Sequence, residues 1–68
     1  MRAFYKDKVI VITGGSSGIG LALAKEFAAQ HAQLVLIARD KEKLARARSI
    51  LEKIATVTVL IRSADISN

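Results

Sequence analysis

The sequence predicts an α/β fold: a three-stranded parallel sheet whose strands are joined by two helices, in the order β-α-β-α-β. Three observations predict it. Three short apolar runs, Val9-Ile10-Val11-Ile12, Leu34-Val35-Leu36-Ile37 and Val57-Thr58-Val59-Leu60-Ile61, are near-continuous rather than alternating, as in strands covered on both faces. Two stretches of helical apolar spacing lie between them. A glycine-rich turn joins the first run to the first helical stretch. Alternation of strand and helix argues for a parallel sheet with right-handed crossovers.

Residues 1–7 read as a lead-in, with Lys6-Asp7-Lys8 polar and turn-like. Residues 8–13 read as the first strand. Residues 19–30 read as the first helix, because Gly20, Leu23, Ala24, Phe27 and Ala28 form an i, i+3, i+4, i+7, i+8 stripe. His31 stands near the end of that helix, where a glycine is the easy choice for a left-handed cap, and reads as a capping or solvated residue. Residues 33–38 read as the second strand, with Asp40 placed to cap the helix that follows. Residues 41–55 read as that second helix, its stripe made by Leu44, Ala47, Leu51, Ile54 and Ala55. Residues 56–62 read as the third strand, and Ser63-Ala64-Asp65-Ile66-Ser67-Asn68 leaves it as a polar turn. Two crossovers in one direction put both helices on one face. The opposite face of three apolar strands is then bare, a surface for further chain or for a partner.

At 68 residues the chain is one small domain at most. A chain of about 60 residues buries only roughly 60% of its unfolded surface. Yet 51% of the residues are hydrophobic, and there is no Pro. Small free-standing domains often need disulfides or a metal, whereas this chain has no Cys and a single His. Rich apolar content without such staples points to a piece of a larger core, and no metal site is expected. The lack of Cys fits a reducing compartment, and Met1-Arg2-Ala3-Phe4-Tyr5-Lys6-Asp7 lacks the apolar stretch of a secretory signal, so the expected location is cytoplasmic. No run reaches the ~18 apolar residues of a membrane span.

The formal charge is +5, with Arg39, Lys41, Lys43, Arg46, Arg48 and Lys53 close in sequence. These mostly fall off the apolar stripe of the second helix and read as a solvated face. Only three aromatics are present (Phe4, Tyr5, Phe27), too few for a base-stacking platform, so no nucleic-acid partner is expected.

The chemistry centres on Thr13-Gly14-Gly15-Ser16-Ser17-Gly18-Ile19-Gly20. A strand feeding a helix through a glycine-rich turn is a phosphate-binding device, because the helix start offers unpaired N–H groups and the positive end of a dipole. Gly14 can make the tight turn out of the strand, Gly18 can admit a pyrophosphate to the backbone, and Gly20 can let helix and sheet pack closely. Thr13 can tie the turn through its hydroxyl, and Ser16 and Ser17 can donate to phosphate or ribose oxygens. Arg39 ends the second strand with no acid before it. An acid there suits the ribose 2′-OH of NAD, whereas an arginine accommodates the 2′-phosphate of NADP. The expected cofactor is therefore NADP, ahead of NAD. Asp65 follows the third strand, where it could meet the adenine amino group or form an Asx-turn. No nucleophile–base pair emerges: Ser16, Ser17 and His31 form no triad, and no catalytic residue is assigned.

The stretch Thr13 to Gly20 resembles the T-G-x-x-x-G-x-G cofactor motif of the short-chain dehydrogenase/reductase family. The likeness continues through Ala38-Arg39-Asp40-Lys41-Glu42-Lys43-Leu44 and Ala64-Asp65-Ile66-Ser67. It implies a Rossmann-type fold binding NAD(H) or NADP(H), and hydride transfer to or from a carbonyl or alcohol substrate. It implies diphosphate contacts at Gly14, Ser16, Gly18, Ile19 and Gly20, a 2′-phosphate contact at Arg39, and adenine contacts at Asp65 and Ile66. The opening also resembles the 3-ketodihydrosphingosine reductase branch. The family's later N-A-G motif, its catalytic Ser and its Y-x-x-x-K have no counterpart here. Tyr5 cannot stand in, since four residues on is Val9 and it precedes the first strand. Members run to roughly 250 residues, the upper end of the usual domain range. The resemblance thus implies the N-terminal cofactor-binding portion of a longer, homo-oligomeric protein, inactive by itself. In the intact family fold the sheet continues beyond the first strand and helices cover the bare face. The alternative is a non-catalytic nucleotide-binding or dimerising fragment.

Overall fold

The computed structural model describes residues 5–64. The elements are β1 (Val9–Thr13), α1 (Gly18–Ala29), β2 (Gln33–Ala38), α2 (Lys41–Ile54) and β3 (Val59–Ser63). They form one parallel sheet in the order β1-β2-β3. Val9 to Thr13 of β1 pair in step with Gln33 to Ile37 of β2, and Leu34 to Ala38 pair in step with Val59 to Ser63 of β3. The expected β-α-β-α-β order is therefore the observed one.

In-step registers keep each pleat aligned across the sheet, so alternate residues share a face. Ile12, Leu34, Leu36 and Val59 are buried on the helix side with Ala24 and Ala28 of α1 and Leu44, Ala47 and Leu51 of α2. Ile10 and Ile61 pack against the same cluster. The opposite face carries Val9, Val11 and Leu60, exposed at 62%, 57% and 59%. Both helices do lie on one side, and the other side is bare among the described residues.

Some boundaries and stripes differ from expectation. β3 begins at Val59, not at residue 56. Val57 packs against the core without being in the strand. Thr58 already supplies a carbonyl to Leu34 N–H at 2.8 Å, so the chain reaches its ladder position only there. Leu23 and Ile54 share the helical spacing of the buried stripes but are 47% and 42% exposed. A two-layer unit covers only the narrow helix surface that meets the sheet. Leu23 and Ile54 sit at the margins of that surface, where a third layer would be needed to bury them.

The helix ends have specific chemistry. Asp40 caps α2, its Oδ1 accepting from the N–H groups of Glu42 at 2.9 Å and Lys43 at 3.1 Å. His31 ends α1 with φ +63, in the left-handed region. Its N–H donates to Ala28 O at 2.9 Å and that of Ala32 to Phe27 O at 3.1 Å. These are the paired bonds of a Schellman motif, with histidine in the position glycine usually takes. The lead-in turn docks there: Asp7 N–H donates to His31 O at 3.1 Å. Tyr5 stacks edge-on against Phe27 with ring centroids 4.9 Å apart. This docking is at the C-terminal end of α1, away from the glycine turn.

Candidate functional site

The carboxyl edge of the sheet gathers the candidate residues, because every parallel strand ends on that side. β1 runs into the turn formed by residues 14–17, and α1 starts at Gly18. Gly14 and Gly18 adopt φ +72 and +60, a region that favours residues without a Cβ. A Cβ added to Gly20 would overlap the Gly14 carbonyl and stand 3.0 Å from the Gly15 Cα. The close approach made possible at Gly20 is thus between α1 and the glycine turn itself, which seats the turn on the helix start.

The position of Thr13 at the end of β1 suits a hydroxyl tie across the turn. No Thr13 side-chain hydrogen bond is present among the described residues. The Gly14 N–H instead donates to Ile37 O at 2.6 Å, extending the β1–β2 ladder one rung past the strand. Gly15 had no expected role, yet it is buried, and a Cβ there would lie 2.8 Å from the Leu36 Cδ2. The signal for it was the second glycine of the pair, set where the turn crosses over the core.

Ser17 has the extended backbone of a capping residue, but its hydroxyl makes no capping bond. The Leu21 N–H donates to Ser17 O at 3.3 Å. The N–H groups of Gly18, Ile19 and Gly20 precede that bond and have no intrahelical acceptor, as at any helix start. No acidic residue occupies the first turn of α1. The contrast with α2, whose Glu42 and Lys43 N–H groups are taken by Asp40, is chemical: one helix start is capped by a carboxylate and the other has no side-chain cap. A Cβ on Gly18 would meet nothing within 4 Å, so the space beside it is open. Ser16 is half-buried, and the Ile19 side chain is 81% exposed on the same turn. Backbone donors at the start of a helix dipole, with open space beside Gly18 and two serines in the adjoining turn, form a set suited to an anion.

Arg39 lies two residues past Ile37, whose carbonyl the turn already uses, so Arg39 and the glycine turn share one edge. Arg39 is exposed, at the bend between β2 and α2. Its carbonyl accepts from the Ser63 hydroxyl at 3.0 Å. Asp40, next in the chain, is engaged as the cap, and the bonds from the Lys43 and Glu42 N–H groups hold its carboxyl below the ordinary value of 3.8. Asp65 and Ile66 lie outside the described residues. No cluster of metal-ligating side chains is present among the described residues, and no helix among them is long and apolar enough to cross a membrane.

The family model for short chain dehydrogenases matches residues 8–68, nearly the whole chain. The chain belongs to the short-chain dehydrogenase family. Among curated members, it is 44% identical over 61 residues to the 3-dehydrosphinganine reductase TSC10B of Arabidopsis thaliana, covering 90% of this chain and 18% of that protein. It is 47% identical over 64 residues to an 11-beta-hydroxysteroid dehydrogenase of Pinus massoniana, covering 90% of this chain and 17% of that protein. Among solved structures, the L-sorbose reductase of Gluconobacter frateurii, complexed with NADPH and L-sorbose, superimposes with a TM-score of 0.93 at 43% identity. That match covers all of this chain and 26% of the reductase. The chain therefore spans less than a fifth of the length of these two curated short-chain dehydrogenases and about a quarter of the solved one. Its sheet and helices are the Rossmann-type arrangement of the family.

Proposed function

We propose that this chain is the NADP-binding part of a short-chain oxidoreductase that moves hydride between NADP(H) and a carbonyl or alcohol substrate. One observation carries the reading: the open start of α1, framed by Gly14, Gly18 and Gly20, shares an edge with Arg39. In this reading the N–H groups of Gly18, Ile19 and Gly20 and the hydroxyls of Ser16 and Ser17 hold the cofactor diphosphate, with Gly14 setting the turn. The Arg39 guanidinium holds the ribose 2′-phosphate, a dianionic group that a forked donor pairs bidentately. Asp65 and Ile66 take the adenine. NADP bound there supplies the hydride. These residues bind and orient it, while the proton-transfer groups belong to parts of the whole protein beyond the glycine-turn unit.

The NADPH complex of the similar L-sorbose reductase supports NADP over NAD, as does the absence of an acid before Arg39 at the end of β2. The test is Arg39→Ala in the intact protein, with NADPH and NADH affinities measured by fluorescence titration. Loss of a charged hydrogen-bonding partner is expected to weaken NADPH by about tenfold or more and leave NADH nearly unchanged. An unchanged ratio of the two affinities would overturn the assignment of Arg39.

A second reading, a non-catalytic nucleotide-binding fragment that associates through its bare sheet face, is favoured by the exposure of Val9, Val11 and Leu60. Turnover of NADPH with a carbonyl substrate by the intact protein would exclude it.

A further inference from the structure

We infer that Ser63, at the end of β3, is a positioning residue that sets cofactor selectivity by orienting Arg39; the inference rests on the assignment of Arg39 to the ribose 2′-phosphate. The observation is the path of the chain as it leaves β2. In a strand, successive carbonyls point to opposite neighbours. The Ile37 carbonyl faces β1 and accepts from Gly14 N–H, and the Ala38 carbonyl faces β3 and accepts from Ala64 N–H at 2.9 Å. Continued alternation would turn the Arg39 carbonyl back toward β1. Instead it accepts from the Ser63 hydroxyl on the β3 side, 3.0 Å away and 24 residues on in sequence.

The consequence is a bend at Arg39 that the β2–β3 ladder does not enforce by itself. Ser63 is paired with Ala38, so its Cα is already fixed by the sheet, and its short side chain spans one residue forward onto Arg39. On the other side of the same peptide, the Asp40 carboxyl is fastened to the first turn of α2 through Glu42 and Lys43. The backbone at Arg39 is thereby held from both sides while its side chain stays exposed at the carboxyl edge. A long, rotamer-rich side chain meets a phosphate more tightly when its root is fixed, because less motion is lost on binding. Ser63 never needs to touch the cofactor for this effect. It acts on a dinucleotide bearing a ribose 2′-phosphate monoester and not on one bearing a free 2′-OH.

The experiment measures NADPH and NADH affinities of the intact protein by fluorescence titration for Ser63→Ala, Ser63→Thr, Arg39→Ala and the Arg39→Ala/Ser63→Ala double variant. Thermal melts check that each variant is folded. Losing one hydrogen bond in Ser63→Ala is expected to weaken NADPH by about three- to fivefold, with NADH held within about twofold. Ser63→Thr keeps the hydroxyl and is expected to bind NADPH like the parent protein. The double variant is expected to match Arg39→Ala alone, since the two residues act as one unit. Should Arg39→Ala lower the NADPH preference while Ser63→Ala leaves it unmoved, the positioning role is overturned and the Arg39 assignment stands. Equal weakening of both cofactors by Ser63→Ala marks a purely structural role and also overturns the inference. An Arg39→Ala variant with an unmoved ratio refutes the 2′-phosphate assignment itself, and the role of Ser63 falls with it.

Discussion

Gly20 bears the tightest constraint in the described chain, because its missing Cβ is the space the Gly14 carbonyl occupies. Gly20→Ala is expected to push the turn off the helix start. Overpacking of this kind destabilises by about 1–3 kcal/mol, readable as a lower denaturant midpoint. The displaced turn should also weaken NADPH by about tenfold or more, one step or more of ~1.4 kcal/mol. His31 is the opposite case, a side chain where none is wanted. Its φ of +63 completes the Schellman motif at the end of α1, and a left-handed residue other than glycine costs about 1 kcal/mol. His31→Gly is therefore expected to raise the melting temperature by a few degrees, with stability up by about 1 kcal/mol at most. Sequence reasoning could find both positions, since glycine spacing and a polar residue after an apolar helix are local signals. It could not find the role of Ser63, which depends on a partner 24 residues away.

At the scale of elements, the two helices differ most at their starts. α2 is closed by Asp40, and α1 is open. Asp40 was legible as a cap because it stands directly before a helical apolar pattern, and the bonds from Glu42 and Lys43 N–H bear this out. Its carboxyl titrates below 3.8 in the folded protein, chiefly through the Lys43 N–H bond. The charged cap therefore contributes fully above that pH, and its contribution is lost as the pH falls through the lower folded value. Asp40→Asn keeps the capping oxygen without the titration. Chemical denaturation from pH 5 down to about pH 2 is expected to show the Asn variant losing less stability than the parent protein over that window. If the two profiles run parallel, the cap is not what titrates. Asp40→Ala should be less stable than either at neutral pH. The Arg46–Glu42 contact at 3.9 Å, with both side chains largely exposed, adds little to α2.

The described residues form a two-layer unit in which helices cover one side of the sheet and no described element covers the other. Val9, Val11 and Leu60 stand on the uncovered side, with Val35 and Ile37 half-buried between their neighbours. An exposed apolar sheet face with unpaired edge strands on both sides invites association. The isolated 68-residue chain is expected to sediment as concentration-dependent oligomers, and Val11→Lys with Leu60→Lys to shift it toward monomer. A monodisperse monomer at all concentrations would show that the face does not drive association.

The sequence by itself determined the order of elements, the parallel sheet and the place of the glycine-rich turn. Those follow from local patterns: continuous β-branched runs, a 3.6-residue stripe, and glycines at a strand-to-helix junction. The same patterns misplaced what local periodicity cannot resolve. Leu23 and Ile54 share the spacing of buried residues yet lie outside the narrow strip where helix meets sheet. The third strand starts later than its apolar run because pairing with β2, not hydrophobicity, decides where a strand begins. Only the tertiary structure decided that Gly20 makes room for the Gly14 carbonyl, that the Ile37 carbonyl ties the turn in place of Thr13, and that Ser63 reaches Arg39. Each of these joins residues brought together by chain folding. A pattern read along one dimension carries the elements but not the contacts between their ends.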